Sequence, residues 1–223
     1  MGRIEENTVA ATEQVSAKER ICVQHNGGAL KVLFVGNSIT KHAPKPDIGW
    51  YGNWGMAASC EEKDYVHVAV SMLRERFGEV DYMLINAADW ERNYWDAQVL
   101  EQYRAAREFE ADVVVIRLGE NTWSVRDRLG EIDYAPHFDR MIRYFASKET
   151  AKVIVTDLFW HKEVIDSVIR RVATDNGYTL IGLNDLGDAD ENMAIGEYEH
   201  HGVSIHPNDT GMERIARRIV DAI

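Results

Sequence analysis

Five short apolar runs recur along the chain, at 31–36 (KVLFVG), 80–86 (VDYMLIN), 112–118 (DVVVIRL), 152–159 (KVIVTDLF) and 179–183 (TLIGL). Each is rich in Val, Ile or Leu, and none alternates strictly between apolar and polar positions. Strands covered on both faces read this way, so the pattern predicts a parallel sheet. The stretches between the runs carry a helical period instead. Val66, Val70, Leu73 and Phe77 fall at i, i+4, i+7 and i+11, one stripe of a helix that ends at Gly78. Met212, Ile215, Ala216, Ile219 and Val220 form a second stripe, with Arg214, Arg217 and Arg218 off it. Strand and helix alternate five times, which predicts an α/β fold, a three-layer α/β/α sandwich around a mainly parallel five-stranded sheet.

Ahead of the first run, ICVQHNGG has the look of an extra edge strand with a turn at Asn26-Gly27. No Pro/Gly/Ser-rich linker divides the chain and no repeat is visible. We therefore expect one domain over 1–223, with 1–30 an N-terminal extension whose first 20 or so residues are loosely ordered.

Open parallel sheets bind ligands at the carboxyl ends of their strands. The first run ends in Gly36, Asn37 and Ser38, followed by the long loop KHAPKPDIGWYGNWG. The second is followed by NAADWERNYW, the third by GENTW, and the fourth by Trp160 and His161. An irregular stretch after the fifth leads to HHGVSIHPND. Ser38, Asn121 and His206 thus share one edge although they lie far apart in sequence. All six tryptophans (50, 54, 90, 95, 123 and 160) also follow strand ends. That grouping predicts a walled ligand cleft in which Trp50, Trp54, Trp90, Trp123 and Trp160 touch the substrate. The alternative is that long loops need aromatic plugs for small cores of their own.

A serine hydroxyl becomes a nucleophile when a base takes its proton, and an imidazole suits that task near neutrality. His206 is the candidate base, and it would later protonate the leaving alkoxide. A tetrahedral oxyanion needs preorganised donors. The Ser38 N–H, expected at a helix N-terminus, and the Asn121 side-chain amide are candidates. Each residue also has a plainer reading: Ser38 as a helix N-cap, Asn121 as a turn residue, and His206 as a boundary residue before Pro207, with Thr210 and Glu213 as a capping box. Their meeting at one edge favours the catalytic roles.

With these residues in view, the sequence resembles the SGNH (GDSL-like) hydrolases. Gly36-Asn37-Ser38 matches the first block, Gly119-Glu120-Asn121 the Gly-x-Asn element of the third, and His206-Pro207-Asn208 the fifth, in order across residues 31 to 220. The resemblance implies a flavodoxin-like fold and hydrolysis of esters, often acetyl or acyl esters on carbohydrates or lipids. It departs from the pattern in three places. Asn37 stands where the commonest form has Asp. The second block, whose Gly N–H usually completes the oxyanion hole, reads NAADWE here and leaves Ala88 or a neighbour as donor. Val203 occupies the position of the usual Asp three residues before the histidine. A backbone carbonyl could orient His206 instead, or an acid from Glu199, Asp190 and Glu191, while Asp209 is expected to help start the last helix.

Composition narrows the field. A formal net charge of −12 argues against nucleic-acid or anionic-membrane partners, because phosphates need neutralising Lys and Arg. No segment approaches about 18 consecutive apolar residues, and the polar N-terminus lacks the apolar core of a secretory signal, so the sequence reads as cytoplasmic. Cys22 and Cys60 read as buried or free thiols. His200, His201 and His206 share no regular face and have no paired cysteine, which argues against a metal site. Glu120 is assigned no chemistry, and Asp47 with the Trp50–Trp54 loop is expected to shape the pocket. The sequence therefore predicts a cofactor-free serine esterase acting on a small-molecule ester, on a glycan or acylated sugar among the options. The alternative is a non-catalytic carbohydrate-binding pseudoenzyme of the same fold. A nucleotide or receiver domain is disfavoured because GNSITK lacks both G-x-G-x-x-G and the P-loop spacing.

Overall fold

The apolar runs pair into one sheet in the structure, a computed structural model whose described residues are 21–223. Its strands are β1 (Ile21–Gln24), β2 (Leu30–Gly36), β3 (Val80–Asn86), β4 (Val113–Ile116), β5 (Lys152–Thr156) and β6 (Thr179–Ile181), in the order β1-β3-β2-β4-β5-β6. β2 to β6 pair in parallel and correspond to the five predicted runs. The sixth strand, β1, is the ICVQ segment, antiparallel on the edge beside β3 with Ile21 opposite Ile85. Its turn is closed by Asp81, whose carboxylate accepts the N–H groups of Asn26 (2.6 Å) and Gly28 (3.1 Å). The expected loose ordering of the first 20 or so residues lies outside the described residues.

The alternation of side chains along a strand divides the interior in two. Val32 and Phe34 of β2 face a core shared with helices α1 (Tyr65–Phe77) and α4 (Asp209–Asp221). Leu33 and Val35 face a second core shared with α2 (Tyr134–Phe145) and α3 (Glu163–Asn176). This is the three-layer sandwich. Each buried Val, Leu, Ile or Phe contributes about 1.5–3 kcal/mol, so the apolar stripe of each helix, more than its intrinsic propensity, holds it on the sheet.

Both predicted stripes pack inward, with one exception. Phe77, the last residue of α1, is 46% exposed, and the Arg76 guanidinium lies 4.8 Å from its ring. The chain leaves the helix there through Gly78, whose φ of 81° turns it away from the core. The cap of α4 is Asn208, which accepts the Gly211 N–H at 3.0 Å, in place of a box begun by Thr210. Asp209 opens the helix and accepts two hydrogen bonds from Ser59. Among the described residues no helix is long and apolar enough to cross a membrane.

Strand register decides which loops meet. Gly36 lies beside Asn86, and Val35 beside Ile116, so the segments leaving β2, β3 and β4 emerge as neighbours.

Candidate active site

Ser38 sits in a single tight turn after β2. The N–H groups of Thr40 and Lys41 both donate to the Asn37 carbonyl, at 2.9 and 3.0 Å. Gly36 makes this turn possible: a Cβ there would lie 1.8 Å from Thr40 Oγ1. The expected helix does not follow. His42 pairs with Trp54 across the loop, and Pro44 and Pro46 prevent the turn from continuing as a helix. Ser38 is therefore not a helix N-cap, and no helix begins at its turn.

His206 follows the short helix His201–Ser204 and is held where Ala194 N–H donates to its carbonyl at 3.0 Å. Its Nε2 lies 2.9 Å from Ser38 Oγ, and its Nδ1 lies 2.6 Å from the carbonyl oxygen of Gly202. A carbonyl can only accept, so Nδ1 carries the ring proton and Nε2 presents its lone pair to the Ser38 hydroxyl. Burial pushes the His206 pKa down to about 3, against the raising effect of the Gly202 bond and with help from His42, Arg117 and His200. The imidazole is thus neutral throughout the physiological range.

The backbone carbonyl takes the place of the missing aspartate. Val203 points into a small apolar core with Trp50, Met56, Ala57 and Ala194 and is fully buried. Of the acids considered from sequence, Glu191 pairs with Arg214 at 2.5 Å, and Asp190 and Glu199 are exposed. None supplies the bond to Nδ1.

Asn121 lies at the same edge on the 3-10 turn Glu120–Val125, after Gly119, whose φ of 140° favours glycine. Its Oδ1 accepts from Arg92 Nη2 at 3.0 Å and its Nδ2 donates to Glu91 Oε2 at 2.6 Å. That orients the amide and leaves its second Nδ2 hydrogen uncommitted to Glu91. Ala88 is a correction: its N–H donates to Asn86 Oδ1 at 3.0 Å and is not free to meet an oxyanion. The Ser38 N–H has no acceptor among the described residues.

Beneath this edge lies a charged cluster that sequence reasoning missed. Glu91, fully buried, accepts from Gly119 N (2.7 Å), Asn121 N (3.2 Å), Asn121 Nδ2 (2.6 Å) and Asn37 Nδ2 (3.1 Å). Asn37 Nδ2 also donates to Glu120 Oε2 at 2.8 Å, and its Oδ1 accepts from the buried Arg117, which pairs with Glu120 at 2.5 Å. Glu120, assigned no chemistry from sequence, is therefore part of the support for the Ser38 turn. Burial and the neighbouring Glu120 carboxylate push Glu91's pKa up, while its N–H donors oppose that shift. The signal available in the sequence was a charged residue inside an apolar run, Arg117 in DVVVIRL.

The tryptophans divide. Trp90 is fully buried in the α2/α3 core and has no surface for a ligand. Trp50 is 2% exposed, donates to the His42 carbonyl and packs edge-on to Trp54 at 5.7 Å. Trp90 thus belongs to the main core, while Trp50 follows the alternative of an aromatic plug, because a loop this long needs apolar mass of its own. Trp54 is half-buried against the same small core. Trp160 sets its ring edge-on to His206 at 4.8 Å and donates to the Ile205 carbonyl. Trp123 is half-buried, with Arg126 and Lys162 over its ring. Two surface hollows of about 460 Å³ lie elsewhere, one lined by Arg104 and Tyr144 and one by Leu186 and Arg218; neither includes Ser38, His206 or Asn121.

No family model matches the chain, and no curated protein does. Its fold is that of known esterases. A protein described as a GDSL-like lipase from Parabacteroides merdae superposes with a TM-score of 0.56 at 18% identity, covering 87% of this chain and 95% of that one. A lipase/acylhydrolase from Enterococcus faecalis gives 0.52 at 17%, covering 87% and 95%. A family two carbohydrate esterase from Clostridium thermocellum, solved with cellohexaose, gives 0.54 at 14%, covering 91% of this chain and 66% of that one. The chain has the SGNH-hydrolase fold.

Proposed function

We propose that the protein is a serine esterase that cleaves an acetyl or short acyl ester through an acyl-enzyme at Ser38. The observation that carries this reading is the Ser38 Oγ–His206 Nε2 contact of 2.9 Å, with Nδ1 held by Gly202. Ser38 Oγ attacks the carbonyl carbon as Nε2 takes its proton, forming a C–O bond and an oxyanion. The Ser38 N–H and the second Nδ2 hydrogen of Asn121 receive the oxyanion. Collapse breaks the ester C–O bond, and His206 returns the proton to the leaving alkoxide. Water, deprotonated by His206, then releases the acid.

A sugar as the alcohol portion is supported by the fold's likeness to carbohydrate esterases. Hydrolysis of p-nitrophenyl acetate tests the core of the reading. Ser38→Ala should abolish kcat, and Asn121→Ala should lower it by about 10²–10³-fold. A folded Ser38→Ala variant with an unchanged rate sinks the proposal.

A second reading, a sugar-binding pseudoenzyme, is favoured by one observation: among the described residues His206 Nδ1 meets the Gly202 carbonyl and no carboxylate. Sugar binding without formation of a Ser38 adduct from a fluorophosphonate, followed by mass, would select it.

A further inference from the structure

We infer that Glu91 is a positioning residue for the reaction of Ser38, its buried carboxylate aiming the Asn121 amide by tying together the segments that leave β2, β3 and β4. The inference rests on the esterase reading above. Glu91 belongs to the segment after β3. It accepts from Asn37 of the segment after β2, and from Gly119 and Asn121 of the segment after β4. One carboxylate therefore spans three neighbouring strand ends. Each of these contacts is an N–H donor, so the arrangement is built for the ionised form.

Burying a carboxylate is costly, and a neutral side chain of the same size would avoid that cost. What the carboxylate offers is acceptance in several directions at once. Two bonds to Asn121, from N at 3.2 Å and Nδ2 at 2.6 Å, leave its amide one orientation, which Arg92 completes from the Oδ1 side. The groups facing Glu91 are Glu120 and Arg117 across the cluster, Arg92 on its own segment and Tyr134 of α2.

This placement also accounts for Asn37. An amide there donates to both Glu91 and Glu120 while its oxygen accepts from Arg117. The aspartate of the commoner motif would set a third carboxylate against two others.

The test is a double-mutant cycle with p-nitrophenyl acetate, folding being checked by far-UV circular dichroism. Glu91→Gln keeps the shape but turns one acceptor into a donor facing an N–H. It should lower kcat by about 10²-fold with little change in KM, and by less than about 3-fold when introduced into Asn121→Ala. An equal further loss on the Asn121→Ala background overturns positioning through Asn121, because a merely structural anchor would act independently. In the wild type, kcat/KM should fall with acid at a pH above 4.5, the ordinary glutamate value, with the dichroism unchanged. In a folded Glu91→Gln variant that acid limb should disappear. Should Glu91→Gln not fold, Glu91→Asp, which keeps the charge but shortens its reach to Asn121, takes its place in the cycle, and an equal loss with and without Asn121→Ala again overturns the inference. A wild type without esterase activity removes the underlying reading as well; an active wild type matched by Glu91→Gln removes the positioning role alone.

Discussion

Restoring the aspartate that the resemblance expects should damage this protein. Val203 stands at that position, fully buried with Trp50, Met56, Ala57 and Ala194. Val203→Asp would forfeit most of the burial of a valine, about 2 kcal/mol. It would also place a carboxyl group among apolar side chains, where it protonates instead of remaining charged. Holding an aspartate of ordinary pKa neutral at pH 7 costs about 4 kcal/mol, at about 1.4 kcal/mol per pH unit. The sum, about 6 kcal/mol, is comparable to the whole net stability of many domains, about 5–15 kcal/mol. With a urea m-value of about 3 kcal/mol/M, the midpoint should fall by about 2 M, read from tryptophan fluorescence. The rate of p-nitrophenyl acetate hydrolysis should not rise, because Gly202 already holds Nδ1. A variant with the wild-type midpoint and a higher kcat would refute this account of how His206 is oriented.

Asn37→Asp likewise restores the commoner motif and should cost about 3 kcal/mol, since it exchanges two donated hydrogen bonds for repulsion with Glu91 and Glu120. A melting temperature lowered by about 6–12 °C would agree, and an unchanged one would not. Trp90→Ala should lose about 3–5 kcal/mol from the core while leaving KM unchanged below its melting temperature; a raised KM would return Trp90 to the substrate. Stability should decline on mild acidification. His206 and His42, pushed down to about 3 and about 4, stay neutral in the folded protein while the unfolded chain takes up protons below about 6.5. Each removes about 1.4 kcal/mol per pH unit from 6.5 down to its folded value, and Glu91, shifted upward, offsets part of this only above 4.5. A urea midpoint at pH 5 equal to that at pH 7 would contradict the burial assigned to these histidines.

The layers and the edge that gathers Ser38, Asn121 and His206 were legible in the pattern of residues. Runs such as 80–86 and 152–156 are strands because covered strands need apolar residues on both faces, and the stripes of α1 and α4 repeat at the helical period. Parallel connectivity then sends GNS, GEN and HPND to one edge, whatever the side chains between them do. Even β1 was legible, through Asn26-Gly27. Tertiary structure decided everything that depends on approach between segments. The group that holds His206 is the carbonyl of Gly202, which every residue type possesses and which no sequence motif marks. Glu91 and Arg117 acquire meaning only when neighbouring strands bring them to Asn37 and Asn121. Ser38 lost its expected helix because two prolines and a cross-loop pairing outweighed the strand-to-helix pattern. The tryptophans, alike in composition and position, were separated into core, plug and rim by packing alone, since a large side chain goes where volume must be filled.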